Sequence, residues 1–284
     1  MVFLKKPWKL FFLSLLFLLS LTGCNSLTSL FFYPQKAWIS TPSDVDLSYQ
    51  NVWLTAADNT LLHAWWIGQS EANSDTMVLY LHGNAENISS HSHSIYWLAK
   101  AGSPILALDY RGFGASHGTA SLPNVLQDLE AAARWMKQNH ADKRLVIVAQ
   151  SIGTALAVHF TAKAQDQYQI QALVLDAPFT GYASVARDAL SHHLLGWLVY
   201  PFTVFLPQEW DPIKVVDQIQ IPILIMHSPE DSVVEYTQGK KLYQAAQHTN
   251  PRVCWLDSQG SHIRSFAYPQ LRDLTLDFIL GKYC

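Results

Sequence analysis

Six short, nearly unbroken apolar runs recur along the chain, at residues 77–81, 105–108, 145–148, 172–175, 221–226 and 253–256. A strand with one wet face alternates polar and apolar residues, whereas a strand with no polar face must be covered on both sides. The stretches between the runs have helical spacing. The clearest places Leu122, Val125, Leu126, Leu129, Ala132, Ala133 and Met136 on one stripe, opened by Ser121 and Pro123. Continuous apolar strands alternating with amphipathic helices predict an α/β architecture, a mostly parallel sheet with helices on both faces. Two further β-like runs, 52–55 and 61–67, flank the turn pair Asp58-Asn59 and predict a hairpin ahead of the parallel part. Eight strands are therefore expected.

Composition supports one large core. Apolar residues make up 49% of the 284 and charged residues 14%, which argues against disorder. A net charge of −3, with no basic face, argues against a nucleic-acid partner. One stretch breaks the rhythm: from 180 to 219 there is no strand, and an apolar-aromatic run spans 194–206. It reads either as a covering helix with a loop or as a small helical cap, an insertion near 181–219. In the second reading Trp197, Tyr200, Phe202 and Phe205 gate the site or dip into lipid.

The amino terminus has its own logic. Lys5, Lys6 and Lys9 precede an apolar run over 10–21, shorter than the roughly 20 residues that cross a bilayer. The following Leu21-Thr22-Gly23-Cys24 resembles a bacterial lipobox. That resemblance implies a signal peptide over 1–23 and a diacylglyceryl group on Cys24. The stretch over 24–47, carrying Pro34 and Pro42, reads as a tether and entry segment, and one domain is expected over 48–284. Asn25 in place of Asp, by resemblance to Gram-negative sorting, points to the cell envelope, at the outer membrane facing the periplasm. An ordinary signal peptide with a coincidental Cys, or an uncleaved anchor, is the alternative. An oxidising envelope permits a Cys254–Cys284 disulfide; Cys254 is equally readable as a small buried residue.

The chemistry centres on Ala149-Gln150-Ser151-Ile152-Gly153 at the end of a buried strand. A serine on a sharp strand-to-helix turn projects its hydroxyl, and the residues two before and two after it must be tiny. The helix that follows aims its positive end at the same point. The turn His82-Gly83-Asn84-Ala85 ends an earlier strand and can aim the Asn84 N–H beside that of Ile152, a two-donor oxyanion hole. His82 precedes the serine in the chain and reads as structural. The order then required is acid, then histidine. Asp231 follows the strand at 221–226, with Glu230 and Asp176 as rivals. His262 lies in a glycine-containing loop past the last strand and has both the position and the order. His91 and His93 lack a third ligand, so no metal is expected.

With these motifs in place, the chain resembles the α/β-hydrolase superfamily from about residue 50 onward. Asp109-Tyr110-Arg111-Gly112-Phe113-Gly114, Asp176-Ala177-Pro178-Phe179 and the His82 turn are similar to prolyl-aminopeptidase-like hydrolases and abhydrolase-domain thioesterases. The resemblance implies a Ser151–His262–Asp231 triad with Asn84 and Ile152 as oxyanion donors, and no cofactor. Arg111 is expected to shape a loop without doing chemistry. Ala149 and Ser228 depart from the usual glycines but remove no reacting group. The expected activity is cleavage of a small acyl ester or thioester through an acyl-enzyme. Amide or peptide cleavage, or a non-catalytic envelope protein using the fold for binding, are the other readings.

Overall fold

The computed structural model describes residues 28–68, 74–191 and 196–282. Its eight strands are β1 (Tyr49–Thr55), β2 (Leu61–Ile67), β3 (Thr76–Leu81), β4 (Ile105–Asp109), β5 (Arg144–Gln150), β6 (Ile170–Asp176), β7 (Ile223–His227) and β8 (Val253–Asp257). They form one sheet in the order β1-β2-β4-β3-β5-β6-β7-β8. β1 and β2 make the expected hairpin, paired from Tyr49↔Ile67 to Thr55↔Leu61, with Asn59 at φ 65° in the turn. β2 also runs antiparallel to β4, and every other pairing is parallel.

Alternation along the buried strands divides the core into two layers. Leu79, Leu81, Ile147, Ala149, Leu173, Leu175 and Ile225 face one way. Val78, Tyr80, Val146, Val148, Val174 and Met226 face the other. In chain order the helices are α1 (Ile88–His91), α2 (Tyr96–Lys100), α3 (Asn124–Asn139), α4 (Ile152–Ala164), α5 (Tyr182–Ser191), α6 (Gly196–Val199), α7 (Tyr236–Gln247) and α8 (Pro269–Ile279). α3, α4 and α7 cover the first layer through Leu129, Met136, Leu156 and Leu242. α1, α2 and α8 cover the second through Ile88, Leu98, Phe278 and Ile279. Each such buried apolar side chain contributes about 1.5–3 kcal/mol.

Two strands run longer than their apolar cores. β5 and β6 pair onward through Ala149↔Leu175 and Gln150↔Asp176. Polar residues can end a buried strand here because they satisfy each other: Gln150 Nε2 donates to Asp176 Oδ2 at 2.8 Å.

Between β6 and β7 the described chain is helical, with α5, α6 and a 3-10 segment, Tyr200–Phe205. Arg187 ties that segment to α5, donating from Nε to Thr203 Oγ1 at 2.8 Å and lying over the Tyr200 ring. The aromatic side chains of α6 and of this segment point outward: Trp197 is 69% exposed, Phe202 63% and Phe205 72%. Among the described residues no helix is long and apolar enough to cross a membrane.

The stretch read as a tether is fastened to the body over its described part. Leu122 N donates to Thr28 Oγ1 at 2.9 Å, and the Phe31 ring lies 4.8 Å from that of Tyr182. Asn84 and Asn87 bind its backbone, donating to Phe31 O at 2.8 Å and Ala37 O at 2.8 Å. Cys254 is buried and disulfide-bonded. Cys24, and Cys284, the expected partner of Cys254, lie outside the described residues.

Arg111 is an anchor for the loop after β4. Its Nε and Nη2 donate to Asp128 Oδ1 at 2.9 and 2.7 Å, and Nη1 reaches Asp58 Oδ2 at 2.7 Å. Asp128→Ala leaves the Arg111 guanidinium with Asp58 alone and its Nε without a partner, and should cost about 1–3 kcal/mol in urea denaturation. A loss below about 1 kcal/mol would contradict the anchoring role.

Candidate active site

Ser151 occupies the junction of β5 and α4 with φ 52° and ψ −122°, a strained conformation for a residue with a side chain. Three hydrogen bonds hold it there. Its N–H donates to Asp176 O at 3.0 Å, and its carbonyl accepts from Thr154 N at 2.9 Å and Thr154 Oγ1 at 2.6 Å. A Cβ at Gly153 would lie 2.4 Å from Leu81 O, so only glycine lets the helix pass the end of β3. The methyl group of Ala149 is absorbed in the core.

The structure brings together the three side chains selected by chain order. His262 Nε2 lies 2.8 Å from Ser151 Oγ, and His262 Nδ1 lies 2.7 Å from Asp231 Oδ2. Asp231 Oδ1 accepts the N–H groups of Val233 and Val234 at 2.9 and 3.0 Å. Burial raises the Asp231 carboxyl, but hydrogen bonds from His227 and His262 outweigh it and hold the group below the ordinary carboxylate range.

The rivals are accounted for. Glu230 is exposed. Asp176 is buried and takes Gln150 Nε2 on one oxygen and Ser265 Oγ, at 2.5 Å, on the other. It therefore braces the loop that carries His262. Gln150 adds a second brace, with Nε2 3.3 Å from Ile263 O, while its Oε1 accepts from Tyr80 OH at 2.6 Å and Ser94 Oγ at 2.8 Å.

Sequence reasoning missed Gln150 and Ser265 as braces, because a polar residue beside a serine carries no mark of its distant partner. It also missed His227. This fully buried ring places Nε2 2.9 Å from Val234 O and 3.4 Å from Asp231 Oδ2, behind the carboxylate. Its only signal was a histidine ending an apolar strand four residues before an acid.

Asn84 uses its side chain on the amino-terminal segment, donating to Phe31 O and accepting from Tyr33 N at 3.0 Å. The backbone N–H groups of Asn84 and Ile152 have no acceptor among the described residues. The space in front of Gly83 is bounded by Ser151 Cβ and His91 Cε1, 3.5 and 3.2 Å from where a Cβ would stand. His82 is buried, 2.7 Å from Gly83 O through Nδ1 and stacked on Tyr110. Burial pushes its imidazole down to about 3, so it stays neutral. His91 contacts Ala85 O and His93 contacts Ser40 Oγ.

With this geometry established, comparison with known proteins identifies the family. Residues 72–210 match the family model of the serine aminopeptidases, S33. The uncharacterized protein YfhR of Salmonella typhi is 32% identical over 269 residues, covering 88% of this chain and 86% of that protein. The chain belongs to the α/β-hydrolase superfamily. The lysophosphatidylserine lipase ABHD12 of Danio rerio is 31% identical over 78% of this chain and 62% of its own. The Pyrococcus furiosus esterase Pf2001 shares the fold, with a TM-score of 0.75 at 24% identity over 89% of this chain and 98% of its own. The α/β-hydrolase chain is thus of serine-hydrolase type.

The low carboxyl value of Asp231 has a consequence for stability. Its folded value lies below the unfolded value of about 3.9, so the ionised group adds stability above that pH and loses it as pH falls through the folded value. Asp231→Asn should therefore reduce stability at pH 7 and reduce it progressively less toward pH 3. Urea denaturation across that range checks this, and a pH-independent penalty would contradict it.

Proposed function

We propose that the chain is a serine esterase or thioesterase working through Ser151, His262, Asp231 and an acyl-enzyme. The observation that carries this reading is the unbroken hydrogen-bonded line from Ser151 Oγ through His262 to Asp231, at 2.8 and 2.7 Å. In this reading His262 Nε2 takes the serine proton as Oγ attacks the acyl carbon, and Asp231 holds Nδ1–H so that the ring keeps the right tautomer. Asn84 N–H and Ile152 N–H receive the developing oxyanion, and the start of α4 adds its positive end. His262 then protonates the leaving atom. Water, activated by the same ring, releases the acid. The residues in these steps require no cofactor.

Ester cleavage is favoured by the outward-facing aromatics Trp197, Phe202 and Phe205, a setting suited to acyl chains. An amidase or aminopeptidase reading draws on the description of the matching family. p-Nitrophenyl esters of graded length, run beside aminoacyl anilides, separate the two. Ser151→Ala should lower turnover at least roughly a thousandfold and abolish fluorophosphonate labelling while the circular dichroism spectrum is retained. Undiminished turnover in that variant would place the chemistry elsewhere.

The proposal extends to the membrane. Cys24 lies four residues before Thr28, which is pinned at Leu122. A lipid there would hold the body against the envelope membrane, with the aromatic segment near the same surface. Cys24→Ser should abolish incorporation of radiolabelled palmitate and move the protein to the soluble fraction. Unchanged labelling and fractionation would remove the lipoprotein reading.

A further inference from the structure

His227 is the last residue of β7, and its side chain takes no part in the proposed proton transfers. The sheet holds it firmly. It pairs with Asp257 of β8, its carbonyl accepts from Ser258 N at 2.9 Å, and the Tyr236 ring packs edge-on against the imidazole with centroids 6.0 Å apart. α7 passes so close that a Cβ at Gly239 would stand 2.3 Å from His227 Nδ1. A glycine in mid-helix weakens the helix, so α7 gives up stability to make room for this ring.

The two ring nitrogens have different surroundings. Nε2 faces two oxygens, Val234 O at 2.9 Å and Asp231 Oδ2 at 3.4 Å. A carbonyl and a carboxylate both accept, so the proton between them belongs to Nε2. Nδ1 is buried and has no hydrogen-bond partner among the described residues. An orphaned buried acceptor costs stability, and a phenylalanine would fill the space without that cost. Packing therefore does not favour a histidine here; the Nε2 proton does.

That proton lies where the acid needs it. Asp231 Oδ1 is fixed by Val233 N and Val234 N at 2.9 and 3.0 Å. Oδ2 meets His262 Nδ1 at 2.7 Å, but His262 rides on a loop and, in the proposed mechanism, changes its own charge at each step. A carboxylate held at one oxygen can turn about its Cβ–Cγ bond, a soft torsion. A donor anchored in the sheet on the second oxygen opposes that turn whatever the histidine loop does.

We propose that His227 is a positioning residue whose Nε2–H holds Asp231 Oδ2 where His262 Nδ1–H meets it, so that the sheet sets the acid independently of the histidine loop. This rests on the serine-hydrolase reading of Ser151, His262 and Asp231 and adds a fourth group to that site.

The test uses the full chain, a p-nitrophenyl ester and a fluorophosphonate. His227→Phe keeps a ring without a donor. It should lower kcat about ten- to a hundredfold, the size of a lost hydrogen bond to a charged group, with KM within about twofold. His227→Gln can return an N–H near the Nε2 position and should recover most of kcat, whereas the shorter His227→Asn should not. In proton NMR the low-field resonance of the His262 Nδ1–H···Asp231 bond should persist in the Gln variant and vanish in the Phe variant. A double-mutant cycle separates action through the carboxylate from bracing of the turn at Val234: in an Asp231→Ala background, His227→Phe should slow fluorophosphonate labelling by less than about twofold. An undiminished effect in that background would overturn the proposal, as would native kcat in His227→Phe. Where the Phe variant fails to fold, equal kcat in the Gln and Asn variants overturns it instead. Absence of labelling at Ser151 in the native chain would defeat the serine-hydrolase reading; the low-field resonance then still reports on Asp231, and its survival in His227→Phe would overturn the positioning role by itself.

Discussion

A single backbone contact sets the terms for this protein: α4 crosses the end of β3 so closely at Gly153 that no side chain fits between them. Two residues before that crossing the chain turns with a positive φ at Ser151, and the strain is held because Asp176 O and Thr154 bind the Ser151 backbone on both sides. The reward is position. The hydroxyl stands at the carboxyl edge of the sheet, at the first turn of a helix, where unpaired N–H groups gather. Turns that leave parallel strands at the same edge then supply the other groups without any need for the residues to be near in sequence.

The second requirement is to keep a loop histidine in register with that hydroxyl. A loop alone would wander. Here Asp176 and Gln150, both at strand ends and both buried, reach across to Ser265 and to the Ile263 carbonyl, just after His262. The sheet thus extends its rigidity into the loop through two side chains. The acid is braced in the same manner, with two backbone N–H groups on one oxygen and the ring of His227 behind the other. A carboxylate so surrounded keeps its charge in spite of burial.

Much of this was legible in the sequence because it is written in local patterns. The apolar runs required two covered faces, the stripe from Leu122 to Met136 required a helix, and the small residues at 149 and 153 required a tight turn. Chain order separated Asp231 from its rivals. What stayed hidden depends on pairs of residues far apart. Gln150 reads as a filler between Ala149 and Ser151 until Ile263, 113 residues on, is seen beside it. The apolar runs end at 148 and 175, short of the strands, for the same reason: Gln150 and Asp176 look like loop residues until they are paired. The amino-terminal segment read as a tether because Pro34 and Pro42 suggest extended chain; its fastening depends on Asn84 and Asn87, which give no sign in the sequence of binding backbone 50 residues away.

That fastening gives the amino-terminal segment a second role. Both polar ends of the Asn84 side-chain amide are spent on residues 31 and 33, so the turn facing Ser151 is stitched to the stretch of chain nearest Cys24. Any shortened form of the chain has to begin upstream of Phe31, or the turn loses its stitches. A pull on the amino-terminal segment is therefore delivered at Asn84, which makes that segment a mechanical input to the turn beside Ser151.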